Sequence, residues 1–297
     1  MISCFRCWKT WCWVLFASLL LLPDPTHAEG PGFSVGLGFE VASGAYGTGT
    51  RTDSIYFPFT LVVYPTERLG FSIEIPYVYQ SSSAVNTTVF AGPGGQMAGM
   101  PKQAAAMNGS PMGGGRGGGG GGSGSMSSAN AAISDQSHGG LGDITARGGY
   151  VVVPEGDHMP RVRPYVFVKF PTADRNKALG TGEFDEGFFV EFSKQLGNWY
   201  SFAEAGYTFQ GNSALLALKD YLSYNAGAGR VLGDRFLPML IIKGASAPIE
   251  GASDLLEMRL KLKYLATERT GIEGYLAKGI TRSSPDFGSG LAIFYEF

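Results

Sequence analysis

The stretch "LLEMRLKLKYL", residues 255–265, places Glu257, Arg259, Lys261 and Lys263 at every second position, with Leu256, Met258, Leu260, Leu262 and Tyr264 between them. A period of two is that of a β-strand, so this segment has one ionic face and one apolar face. Four ionised groups on one strand face could steer a charged solute or set the ion preference of a pore. They could not face lipid. A charge at the bilayer midplane costs roughly 2–4 kcal/mol, and four would cost on the order of 10 kcal/mol, comparable to the stability of a whole domain.

Other residue patterns carry less chemistry. "GFSVG" at residues 32–36 matches the G-x-S-x-G esterase pattern. That motif needs a strand before it and a helix after it, and here it lies inside an alternating strand. A serine nucleophile also needs a histidine beside it. The three histidines are His27, His138 and His158, none of them on a strand face next to a serine. No two have metal-ligand spacing. Asp174, Glu183, Asp185 and Glu186 fall in one predicted loop. They could hold a divalent cation, but they read more simply as a solvated charged loop. The run "GGGRGGGGGGSGS" contains G-x-G-x-x-G trivially, without the strand and helix of a nucleotide site. No catalytic, cofactor or metal site emerges.

The elements that must position the charges are strands. About twelve segments, from "FSVGLGFEV" to "LAIFYEF", alternate in this way. Each is near the ~9–11 residues that a tilted strand needs to cross a bilayer. Their polar faces put Glu40, Glu74, Asp143, Arg147, Arg163, Lys169 and Glu191 with Glu257, Arg259, Lys261 and Lys263 on a predicted lumen. Alternation weakens in "LPMLIIKGA" and "IEGYLAKGI", where Lys243 and Lys278 are expected to need a bulge or a terminal position. The connections sort by length. "PTERLG", "PEGDHMP", "GNW", "LGDRF" and "ATERTG" are short and follow even strands. Longer ones, such as "ASGAYGTGTRTD" and "PTADRNKALGTGEFDEG", follow odd strands. Outer-membrane barrels have short periplasmic turns and long extracellular loops in this manner.

The compartment agrees. Arg6 and Lys9 precede the apolar "WCWVLFASLLLL", and Thr26 and Ala28 precede a plausible cut at Glu29. Residues 1–28 therefore read as a secretory signal peptide and 29–297 as the barrel. All three cysteines, Cys4, Cys7 and Cys12, lie in that signal. The net charge of −2 lacks the concentrated basic surface that nucleic acid requires. Mean hydropathy is +0.04, and beyond the signal no apolar run reaches the length of a spanning helix.

Strands in hydrocarbon must pair every backbone N–H and C=O, so the sheet has to close. The end "SGLAIFYEF" alternates to the last residue and is expected to pair with the first strand. Tyr295 and Phe297 then read as an interfacial assembly signal for the barrel-assembly machinery. The Gly-rich stretch from about 92 to 138 joins the third and fourth strands as a flexible extracellular loop, or as one that folds inward and constricts the pore.

"GGLGDI" at residues 139–144 and "PYVFVKFPTADRNKALGTGEFDEG" at 164–187 together resemble the outer-membrane transporter-like family linked to meta-pathway phenol degradation. The match covers roughly Gly139 to Gly211. It departs at Ala173, where that family usually has Gly, and at the glycine insertion before His138. The resemblance implies an outer-membrane β-barrel that passes aromatic or hydrophobic compounds. The expectation is an all-β, antiparallel up-and-down transmembrane barrel of about twelve strands. It would act as a passive channel for small solutes through a narrow charged lumen, with outer-membrane lipids around it. The alternative is a non-conducting structural or adhesion barrel whose outer loops bind a partner.

Overall fold

The computed structural model describes residues 32–46, 51–81, 137–212 and 217–297. The expected signal peptide and nearly all of the Gly-rich stretch lie outside the described residues. Thirteen strands are β1 (Gly32–Gly44), β2 (Thr52–Tyr64), β3 (Leu69–Gln80), β4 (His138–Leu141), β5 (Ile144–Tyr150), β6 (Arg161–Phe170), β7 (Asp185–Leu196), β8 (Trp199–Phe209), β9 (Tyr221–Arg230), β10 (Phe236–Ala245), β11 (Leu255–Leu265), β12 (Thr270–Gly279) and β13 (Phe287–Glu296). All form one antiparallel sheet. It closes through β1 and β13, from Ser34↔Glu296 to Ser43↔Phe287. The Phe297 N–H donates to the Phe33 carbonyl at 2.9 Å, and the two rings stack with centroids 4.3 Å apart.

β4 and β5 are two halves of one stave, so the barrel of described residues has twelve staves. Between the pairs Tyr77↔Leu141 and Glu74↔Thr145, Ile75 and Pro76 of β3 face Gly142, Asp143 and Ile144. One extra residue makes this a β-bulge, which breaks the ladder and re-aims a side chain. Pro76 lacks an N–H to offer there, but its carbonyl accepts from Gly142 N at 2.8 Å. Several strands begin earlier than their apolar alternation. β4 starts the fourth stave at His138 rather than Asp143, and β5 ends at Tyr150 rather than Val153. Asp185, Glu186 and residues 287–290, expected in loops, are strand residues. Backbone pairing extends into polar and glycine-rich ends where no hydrophobic period marks it.

The barrel is apolar outside and polar inside. Leu37, Phe39, Ile73, Leu260, Leu276 and Leu291 are exposed, while Glu74, Lys169, Glu257 and Lys261 are buried. A soluble domain sorts the other way. Glycines let the narrow interior hold large rings. A Cβ on Gly206 would overlap the Phe189 ring, one on Gly187 the Phe167 ring, and one on Gly290 the Tyr275 ring. Each ring lies flat over a neighbouring strand that offers it no side chain.

Candidate functional site

The ends of the barrel differ. One carries the short turns at residues 65–68, 151–160, 197–198, 231–235 and 266–269, and the other carries the loops. Strand pairing builds an inward ladder of directly opposed residues that climbs from the turn end to the loop end. It runs Arg163↔Glu191↔Glu204↔Asn225↔Lys243↔Glu257.

The charges pair locally. Arg147 lies 3.6 Å from Glu74, which also accepts from the Tyr56 hydroxyl at 2.5 Å. Arg161 lies 3.4 Å from Glu191. Lys261 and Lys263 share Glu273, at 2.8 and 3.8 Å. Arg259 contacts Glu257 and sits 4.4 Å above the Tyr275 ring, a cation–π geometry. The Tyr275 hydroxyl donates to Glu40 at 2.7 Å. Near the loop end, Lys169 is held by Asp185 at 2.6 Å, Asp143 at 3.4 Å and the Thr181 hydroxyl at 3.0 Å. The bulge after Leu141 is what turns Asp143 toward Lys169.

Charge is also sorted along the axis. Arg147, Arg161, Arg163, Lys261 and Lys263 lie toward the turn ends of their strands, with Glu191 and Glu273 among them. Glu40, Asp143, Asp185 and Glu257 lie toward the loop ends, with Lys169, Lys243 and Arg259. Glu74, paired with Arg147, and Glu204, opposite Glu191, belong with the turn half, so among these residues bases exceed acids by only one there and acids exceed bases by only one in the loop half.

Of the residues singled out from sequence, Glu40, Glu74, Arg147, Arg163, Lys169, Glu191, Glu257, Arg259, Lys261 and Lys263 are all buried on the inward face. Asp143 joins them at the bulge. Tyr295 and Phe297 are exposed on the outward face beside the seam. Arg161, Glu204 and Glu273 complete the ionic set and were not singled out, although they share parity with residues that were, and Asp185, read from sequence as an acid of a predicted loop, joins them as a strand residue. Lys243 needs no bulge. It stands in regular register, opposite Asn225 and Glu257, on the inward face. The exceptions on β10 are Leu237, Met239 and Ile241, which are apolar yet point inward and pack with Phe202 and Val231. Lys278 is exposed and sits one residue from the end of β12, a terminal position.

Two further features were not anticipated. Tyr165, Phe167 and Phe189 form an inward aromatic cluster, with ring centroids 5.1 and 5.9 Å apart. Part of loop 171–184 folds into the mouth, burying Ala173, Leu179 and Thr181 while Asp174, Arg175, Asn176 and Lys177 stay exposed. Its Leu179 is 2% exposed and packs with Ala173 against Tyr56 and Val78. Gln80 Nε2 donates to the Ala178 carbonyl at 2.9 Å. Of the four acids of that region, Asp185 pairs with Lys169, and Asp174 caps a 3-10 turn by accepting from Asn176 N at 3.0 Å. Among the described residues no group of acids, histidines or cysteines is arranged to hold a metal ion. A small cleft with room for little more than a water molecule lies near the loop end, lined by Glu40, Tyr56, Glu257, Arg259 and Tyr275. Ser34 of the G-x-S-x-G match lies within β1, opposite Glu296 and Val62, with no strand–turn–helix around it.

Comparison with known proteins fits this architecture. Residues 96–297, more than half of the chain, match the model of the family described as "Putative MetA-pathway of phenol degradation". In structure the chain is similar to an outer membrane channel from Pseudomonas putida F1, with a TM-score of 0.59 and 14% identity over 93% of this chain and 100% of that one. It is also similar to the NanC porin, with a TM-score of 0.50 and 8% identity over 89% of this chain and 98% of that one. No curated protein sequence matches it. At such identities the structural likeness speaks to the fold, which is that of outer-membrane barrels in both cases. The chain belongs to the family described as the putative MetA-pathway of phenol degradation, and it folds as an outer-membrane β-barrel.

Proposed function

We propose that this barrel is a passive channel for small aromatic or hydrophobic solutes, which cross the outer membrane through a narrow charged lumen. The observation that carries the reading is the ionic interior. Buried ion pairs are weak sources of stability, and well-packed apolar residues of similar volume are often as good or better. A barrel that served only as an anchor would gain little from Arg147, Arg163, Lys261 and Lys263 inside it. A pore uses fixed charge to concentrate and select what passes. Twelve staves lie between the eight that fill with side chains and the sixteen to eighteen that leave a wide aqueous channel. The inward loop 171–184 narrows the mouth further. The similar outer membrane channel from Pseudomonas putida F1 supports the same reading by its fold.

In this reading residues 1–28 direct export and are removed, and Tyr295 and Phe297 are read by the barrel-assembly machinery. Glu40, Glu74, Asp143, Arg147, Arg163, Lys169, Glu191, Glu257, Arg259, Lys261 and Lys263 line the lumen. The test is a planar-bilayer recording on purified, heat-modifiable protein. Discrete conductance steps are expected. Folded protein that inserts but never conducts would turn the reading toward an adhesion barrel.

A further inference from the structure

We propose that the loop end of β12 is a docking surface for a phosphorylated lipid of the outer leaflet, with Lys278 and Arg282 holding the phosphate. The proposal stands on the barrel fold and does not depend on conduction. Lys278 shares the parity of Ile272, Gly274 and Leu276, so it points out of the barrel. It is exposed, yet apolar residues enclose it. Met258 stands directly opposite on β11, Leu276 lies two positions below and Ile280 two above, all three exposed. The ladder that pairs Ala277 with Gly288, carried one step further, sets the exposed Phe287 on the other flank. On β11, β12 and β13 no other outward-facing residue is charged. Lys278 has no ion-pair partner among the described residues. An ammonium rooted in an apolar belt extends along its stem to the headgroup layer and takes its counter-charge there. In the outer leaflet that counter-charge is phosphate.

Arg282 adds a second cation on a fixed mount. The Ser284 N–H donates to the Thr281 carbonyl at 3.1 Å, closing a turn with Arg282 exposed at its second position. The turn is pinned to β11. The Leu256 N–H donates to the Thr281 and Ser284 hydroxyls at 3.1 and 3.0 Å, and the Ser284 hydroxyl donates to the Leu256 carbonyl at 2.9 Å. On the other side a Cβ on Gly44 of β1 would overlap the backbone of Pro285 and Asp286, so the loop lies against that strand as well. The acids nearby leave the two cations available. Asp286, exposed in the same loop, is outnumbered by them. Asp254 accepts from Ala247 N at 2.9 Å, Asp53 is engaged by Ser43 and Arg51, and Glu257 and Glu273 are buried in the barrel. Cations above exposed apolar side chains match a lipid whose phosphate lies over its acyl chains. The chains would rest on Leu276, Met258 and Phe287, and the phosphate on Lys278 and Arg282.

The test exchanges the folded full barrel in detergent with diphosphorylated lipid A and counts the lipid that stays bound by native mass spectrometry. One lipid A per barrel is expected. Lys278→Gln with Arg282→Gln should cut retention at least tenfold, and Lys278→Arg should keep it. Arg230→Gln, which removes an exposed cation at the turn end of β9, should change nothing. Lipid A stripped of its phosphates should be retained at least tenfold less, and excess inorganic phosphate should not displace the intact lipid. Heat-modifiable migration verifies that each variant is folded. Retention indifferent to the double substitution, equal retention of the phosphate-free lipid, or an equal loss with Arg230→Gln overturns the proposal. Displacement by inorganic phosphate also overturns it, since the surface would then hold the free anion and not a lipid.

Discussion

Lys169 offers a sharp test of how the loop end is held. Its side chain is 1% exposed and its ammonium contacts Asp185, Asp143 and Thr181 at 2.6, 3.4 and 3.0 Å. Lys169→Met keeps the length and removes the charge, leaving two buried carboxylates facing each other. Each retains one backbone donor, Gly211 N to Asp185 at 3.1 Å and Ala173 N to Asp143 at 3.0 Å, so neither is wholly abandoned. Breaking a buried pair by removing one partner costs about 3–5 kcal/mol. The surviving donors place the expected loss near the lower end, about 3 kcal/mol. Urea unfolding in lipid vesicles measures it. In a chain lacking residues 1–28, Trp199 is the single tryptophan and reports the transition by its fluorescence. Adding Asp143→Asn and Asp185→Asn to Lys169→Met should recover most of the loss, because the orphaned charges then disappear. A single-mutant loss below about 1 kcal/mol would mean that water screens the cluster. A triple variant no more stable than the single would place the loss in packing, not in charge.

Three other perturbations address the wall, the lipid face and the seam. Gly206→Val should prevent heat-modifiable folding, since even its Cβ would overlap the Phe189 ring and the Phe188 carbonyl, whereas Gly156→Ala, with nothing within 4 Å, should fold normally. Leu260 is 58% exposed at the middle of β11, so Leu260→Lys should cost about 2–4 kcal/mol in vesicles. Leu260→Ala should cost clearly less, and equal costs would place that face outside the hydrocarbon. Phe297→Ala loses ring contacts with Phe33 at 4.3 Å and Tyr295 at 4.8 Å, about 0.5–1.5 kcal/mol each. Deleting Phe297 also removes its hydrogen bond to Phe33, so the heat-modifiable fraction on a gel should fall further than with the substitution.

Much of the barrel is legible in sequence because lipid enforces a period of two. On β11 the charges fall on one parity, and the inside of the strand follows from their cost in hydrocarbon. β10 is harder, because apolar residues stand on both of its faces. Lys243 alone marks the inward parity there, and treating it as the anomaly hid Leu237, Met239 and Ile241. Asp185 was read as a loop acid because it stands at the first position of its strand, and Glu273 lay in a predicted strand whose alternation was weak. The bulge at Asp143 and the inward turn of loop 171–184 depend on packing between distant segments. Leu179 meets Tyr56 and Val78 across more than a hundred positions of chain, and no local pattern encodes that contact. The family motif covering both segments was the one available sign that they belong together.

The sorting of charge along the barrel has an electrical consequence. On the channel reading, a narrow conduit with a slight excess of bases toward its turn end and a slight excess of acids toward its loop end is a weak bipolar junction. A voltage of one polarity draws mobile cations and anions from the baths into the halves that attract them and fills the conduit with carriers. The opposite polarity pulls both species out and depletes the middle. The current–voltage curve should therefore be asymmetric, and its sense should report which way each molecule has inserted. The asymmetry should be largest at 0.01 M salt, where the screening length of about 30 Å spans the membrane core, and should fade toward 1 M, where it shrinks to about 3 Å. On the same reading a dipolar solute would take a preferred orientation in transit, with its negative end toward the turn end.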